Sequence, residues 1–100
     1  MRAKIPVNRE RVAEFCRRHH IKKLALFGSV LRDDFRPESD VDVLVEFEPG
    51  TAAGFLRLAV RELELSQMMG RRVDLRTLPD LSRYFRDEVL RTAEVQYAET

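Results

Sequence analysis

Gly28-Ser29-Val30-Leu31-Arg32-Asp33-Asp34-Phe35-Arg36-Pro37-Glu38-Ser39-Asp40-Val41-Asp42 joins two apolar runs, Leu24-Ala25-Leu26-Phe27 and Val43-Leu44-Val45. Each run has the length and composition of a buried strand. The first is broken by Gly28-Ser29, which predicts one short helical turn through Arg32. The second is opened by Asp40 and Asp42. A small-residue turn at the end of one strand therefore faces two carboxylates on the next. Glycine lets backbone approach a phosphate closely, and a helical turn begun at Ser29 aims free N–H groups at it. Paired carboxylates suit a divalent cation. Together they point to nucleotide chemistry.

From Val41 to Phe47 the pattern alternates, with Val41, Val43, Val45 and Phe47 on one face and Asp40, Asp42, Leu44 and Glu46 on the other. In an extended chain Asp40 and Asp42 stand about 6–7 Å apart. Their repulsion is roughly 2–3 kcal/mol at an effective dielectric constant near 20. A third predicted strand, Arg71 to Thr77, sets Val73 and Leu75 against Arg72, Asp74 and Arg76. If it neighbours the second strand, Asp74 adds a third carboxylate. Mg²⁺ is the natural occupant, because it takes hard oxygen ligands and shares them with substrate phosphates. Arg32 is placed to contact a phosphate. The same residues also describe a solvated strand face and a plain turn, with Arg72 and Arg76 pairing with Asp74.

Outward from this centre, Asn8 is the predicted N-cap of a helix from Arg9 to His19 that sets Val12, Phe15 and Cys16 on one face. The first strand spans Lys22 to Phe27, and Phe35 to Ser39, with Pro37, reads as loop. Glu48-Pro49-Gly50-Thr51 is a turn, followed by a helix from Ala52 to Met69 that Gly70 stops. Its apolar arc (Phe55, Leu56, Leu58, Ala59, Val60, Leu63, Leu65, Met68, Met69) is wide, read as core with surplus width for a partner. After Pro79 a last helix is expected from Leu81 or Arg86 to Ala98, carrying Phe85, Val89, Leu90, Ala93 and Tyr97. The fold class that follows is α/β (α+β), a small mixed β-sheet of about three strands with helices packed on it.

With 100 residues, 44% hydrophobic and 35% charged, residues 1–100 are expected to form a single domain with one core. No apolar segment reaches the ~20 residues of a transmembrane helix, and the first residues lack a signal-peptide pattern. A cytoplasmic location without a membrane partner is expected. Cys16, the only cysteine, reads as a small apolar helix residue. The net charge of +1 exerts no overall pull on nucleic acid. The basic run from Arg17 to Lys23 has no interleaved aromatics and complements a helix C-terminus, so direct nucleic-acid binding is not expected.

Gly28-Ser29, ten intervening residues and Asp40-Val41-Asp42 resemble the signature of the polymerase-beta-like nucleotidyltransferase superfamily. The short chain, Leu44-Val45-Glu46-Phe47 and the segment from Leu81 to Tyr97 are similar to its minimal nucleotidyltransferase (MNT) group. Leu31 and Asp33 depart from the small residue and glycine frequent there. The resemblance implies that Asp40, Asp42 and Asp74 are catalytic and bind two Mg²⁺ ions, while Gly28, Ser29 and Arg32 hold the phosphates of ATP. It further implies an antitoxin that transfers AMP from ATP to a tyrosine of a cognate HEPN-domain ribonuclease toxin by in-line displacement. The protein would be homo-oligomeric or hetero-oligomeric with that toxin. Two alternatives stay open: an antitoxin that neutralises by binding alone, and a nucleotidyltransferase with a small-molecule acceptor.

Overall fold

The computed structural model describes residues 5–33, 35, 36, 38–51 and 55–99, with backbone only at 55–57. Asn8 caps α1 (Arg9–Arg18), its Oδ1 accepting the Arg11 N–H at 3.2 Å, while Arg17 and Arg18 in the last turn complement the helix dipole. Val12, Phe15 and Cys16 are its buried face. Burial pushes the Cys16 thiol up to about 12, so this cysteine is packing material. The basic run that follows is structural: Arg18 and His19 reach Glu64 at 2.7 and 3.1 Å, and His20 reaches Glu48 at 3.2 Å.

His20, at φ 56°, turns the chain into β1 (Ile21–Phe27), which ends in a 3-10 turn over Gly28–Leu31. There follow β2 (Val41–Phe47), α2 (Phe55–Met69), β3 (Val73–Arg76), a second 3-10 turn at Leu78–Asp80, α3 (Arg83–Thr92) and β4 (Glu94–Ala98). The strands form one mixed sheet in the order β3-β2-β1-β4, parallel between β2 and β3 and antiparallel elsewhere.

Strand periodicity divides the sheet into two faces. Val41, Val43 and Val45 join Leu24, Leu26, Val73 and Leu75 in the main core, against Phe15 of α1 and Leu65 of α2. The opposite face carries a smaller cluster of Phe27, Leu44 and Val89, roofed by α3. Leu44 shares its face with Asp42, two positions away, so the apolar floor under α3 runs directly into the carboxylates. Edge strand β3 is held from outside by α2. Ser66 Oγ accepts the Val73 N–H at 3.0 Å, and Glu62 Oε2 accepts the Leu75 N–H at 2.8 Å. Those two bonds satisfy donors that an uncovered edge would leave bare.

The expected last helix to Ala98 is corrected. Helix α3 stops at Thr92, Ala93 turns to extended backbone (φ −60°, ψ 139°), and residues 94–98 add a fourth strand. The physical reason is the second edge of β1, whose polar groups need partners. β4 supplies them, with Leu24 opposite Tyr97 and Ala25 opposite Val95, and the Glu99 N–H donates to Lys22 O at 2.7 Å. Apolar residues at helical spacing masked this, because Val95 and Tyr97 are equally good strand residues. Tyr97 packs on the main core.

Within α2, Leu65 is buried and Leu58, Met68 and Met69 are partly buried, whereas Val60 and Leu63 are 64% and 62% exposed. Its expected start at Ala52, the side chains of Phe55 and Leu56, and Pro37 lie outside the described residues. No helix among the described residues is long and apolar enough to cross a membrane.

Deleting residues 94–100 is expected to strip one edge of β1. A loss of about 2 kcal/mol would lower the melting temperature by roughly 8–16 °C for a chain of this size. Circular dichroism melts and size exclusion check this; an unchanged melt and elution volume would show that β4 contributes nothing to the sheet.

Candidate active site

Parallel pairing of β2 with β3 puts Asp42 in register with Asp74. Neighbouring strands are about 4.8 Å apart and in-register side chains point the same way, so two carboxylates stand side by side. Phe27 pairs with Asp42 from the other side, which delivers Gly28 next to that carboxylate. Burial, then the charges of Asp74 and Asp40, push the Asp42 carboxyl above its ordinary range, against the opposing pull of Arg76 and Arg32.

Gly28 has φ 76°, a left-handed conformation that side chains disfavour, and a Cβ built there would fall on Asp42 Oδ2. The glycine is therefore demanded by the carboxylate as well as by the turn. Val30 and Leu31 are buried and pin the turn from below. This accounts for Leu31 where a small residue is frequent: it fills the main core. Ser29 Oγ donates to Asp40 O at 3.5 Å, and the Arg32 N–H closes the turn onto Ser29 O at 2.9 Å.

Asp74 is held by a neighbour on its own strand. Arg76 Nε and Nη2 donate to Asp74 Oδ2 at 3.2 and 3.0 Å. Asp40, one residue before β2, is exposed. Among the described residues, no three acidic, histidine or cysteine side chains converge closely enough to hold a metal. The donor chemistry nevertheless fits a hard cation: two in-register carboxylates repel, and Gly28 leaves the space over Asp42 Oδ2 free of carbon.

Gly28, Ser29, Arg32, Asp42 and Asp74 line one cleft of about 550 Å³, while Asp40 stands beside it and acts on Asp42 through its charge. The far wall is α3 and the turn before it, with Leu81, Ser82, Phe85, Glu88, Val89 and Thr92. None of these wall residues is legible as a site residue from sequence. The signal available was Tyr84-Phe85 in a helix with few apolar positions; both are exposed, Phe85 by 57%. Asp80 is also at the cleft. Its carboxylate accepts the Thr77 N–H at 3.0 Å and hydroxyl at 2.8 Å, and the backbone bond holds its pKa below the usual carboxylate range.

A family model described as a nucleotidyltransferase domain matches residues 9–96. A Methanocaldococcus jannaschii protein named "Putative protein adenylyltransferase" is 33% identical over 76 residues, covering 76% of this chain and 80% of that protein. Four further relatives with names of this kind, protein adenylyltransferase MntA of Thermococcus cleftensis among them, are matched over 57–61% of their own length. Of the solved structures, one described as a "putative minimal nucleotidyltransferase" is 40% identical with a TM-score of 0.70, covering 85% of each chain. A toxin-antitoxin crystal structure with AMP-PNP shares the fold at TM-score 0.75 and 18% identity, covering 94% of this chain and 76% of that one.

Two outcomes follow from the geometry. Gly28→Ala should lower stability by about 2 kcal/mol without any ligand, the cost of left-handed backbone plus the clash. Asp42→Ala should restore part of the loss in a double-mutant cycle, and strict additivity in thermal melts would show that the two positions do not touch. Asp42 itself predicts a pH dependence. Its folded pKa lies above 3.8, so ionised Asp42 destabilises the fold at neutral pH, and that cost fades as pH falls through the folded value. Asp42→Asn in chelator should therefore melt higher than wild type at pH 7, the gap closing towards pH 4. A gap that widens on acidification would contradict the burial and repulsion around Asp42.

Proposed function

The chain belongs to the nucleotidyltransferase domain family, and from that premise we propose an antitoxin that transfers AMP from ATP to a tyrosine of a cognate HEPN-domain ribonuclease toxin. The observation that carries the reading is one cleft shared by the Gly28-Ser29 turn and the Asp42–Asp74 pair. Phosphate-facing and carboxylate groups are both needed where a nucleoside triphosphate is cleaved. The names of the relatives, protein adenylyltransferases, support AMP as the transferred group. A toxin-antitoxin complex with the same fold supports the kind of partner.

In this reading residues 1–100 act as one catalytic domain in the cytoplasm, where ATP is at hand. Gly28, Ser29 and Arg32 bind the β- and γ-phosphates, and Phe85 with Leu81 offers the base an apolar wall. Asp40, Asp42 and Asp74 would hold two Mg²⁺ ions, which when bound offset the charge gathering on the α-phosphoryl group and favour the ionised acceptor. Asp74 would hold the cation that activates the acceptor hydroxyl and would help remove the tyrosine proton. The attacking phenolate oxygen forms a bond to the α-phosphorus as the bond to pyrophosphate breaks. Pyrophosphate leaves towards Gly28-Ser29.

A second reading, neutralisation by contact alone, is favoured by the exposed Tyr84, Phe85 and Leu90 on α3, an apolar surface suited to a protein partner. One experiment separates the two. Asp40→Asn with Asp42→Asn should abolish the mass increase of one adenylate on the co-purified toxin while the complex still forms, because apolar helix surface dominates such an interface. Growth should then fail to recover on co-expression. Full protection by the double variant, with no adduct on the toxin by mass spectrometry, would establish contact as the mechanism and end the catalytic reading.

A further inference from the structure

Arg76 stands two residues beyond Asp74 on the same face of β3, and both of its bonded nitrogens converge on a single oxygen, Asp74 Oδ2, at 3.2 and 3.0 Å. Acidic charge surrounds the guanidinium. Asp74, Asp80 and Asp42 all hold its pKa above the ordinary value, despite some loss of hydration. It lines the same cleft as Gly28, Ser29 and Arg32. Its pair is only partly shielded, with side-chain exposures of 47% for Arg76 and 35% for Asp74. An ion pair of that kind is weak enough to be exchanged.

We infer that Arg76 is the resident counter-ion of the carboxylate pair, occupying on Asp74 the place a divalent cation takes during nucleotide loading, so that the ion pair and metal binding at Asp74 exclude one another. The inference rests on the reading of Asp42 and Asp74 as metal carboxylates. Two cations on one carboxylate oxygen repel, so a metal ion on Asp74 Oδ2 competes directly with the Arg76 guanidinium. Without metal, Arg76 answers the repulsion that parallel pairing imposes. With metal, the guanidinium is released inside the cleft it shares with Gly28, Ser29 and Arg32, and arginine pairs with phosphate oxygens through its planar donor fork. Arg76 thus keeps the site assembled when empty and is freed for the phosphates when the site fills.

The test uses the full chain and Mn²⁺ without nucleotide, read by loss of the free-ion electron paramagnetic resonance signal. Arg76→Gln should bind Mn²⁺ about fivefold more tightly than wild type, the scale of a partly exposed ion pair removed from competition. Arg72→Gln deletes the same charge from an exposed position beside β3 and should change affinity less than twofold. In chelator, Arg76→Gln should melt below wild type, and Mn²⁺ should close that gap. A purely structural ion pair would lower the melt equally in both conditions and leave Mn²⁺ affinity unmoved, which would overturn the inference. Equal tightening by Arg72→Gln would overturn it too, since net charge alone would then suffice. Mn²⁺ binding to wild type and Arg76→Gln with one common affinity rejects the exchange but spares the metal reading. Absence of binding to all three proteins rejects both.

Discussion

The in-register contact between Asp42 and Asp74 is the constraint around which the active end of this protein is organised. Two carboxylates on adjacent parallel strands repel, and burial of Asp42 aggravates the cost. The surrounding structure answers in three ways. Ser66 and Glu62 on α2 grip the outer N–H groups of β3, so the strand cannot drift from β2. Gly28 removes the carbon that would press on Asp42 Oδ2. Arg76 places a positive group on Asp74 Oδ2. A site that is unfavourable when empty is one that a bound ligand can stabilise on arrival.

The sheet serves both stability and chemistry because strand periodicity separates the two. Val41, Val43 and Val45 face α1 and α2 and fill the main core, while Asp42 and Leu44 face α3. Phe27 and Val89 line the cleft and pack with Leu44 in the smaller core beneath α3. Helix α3 consequently does two things at once, closing the second core with Val89 and lining the cleft with the exposed ring of Phe85.

Much of this was legible in the residues, and the rest was hidden for physical reasons. The break at Gly28-Ser29, the alternation from Val41 to Phe47 and the cap at Asn8 are local patterns, and local sterics and hydrogen bonding dictate them. The tail misled because Phe85, Val89, Ala93 and Tyr97 are spaced for a helix, whereas the unmet edge of β1 decided that residues 94–98 become a strand. Gly28 read as a residue that makes room for phosphate; the structure adds that it makes room for Asp42. The cleft wall at Leu81, Phe85 and Glu88 had no signature of its own, since its role comes from where α3 packs.

By itself the sequence determined which residues carry charge or apolar surface and at what period, and so which side of each strand each would face. That was enough to pair Asp40 with Asp42, to set Asp74 on the polar face of its strand, and to end β1 at a glycine. Only the tertiary structure decided that β3 lies parallel to β2 with Asp74 level with Asp42, and that Arg76 rather than Arg72 answers the charge. The register of β3 on β2 joins positions 32 residues apart, Val41 with Val73 and Asp42 with Asp74, and no local pattern encodes where such distant segments meet.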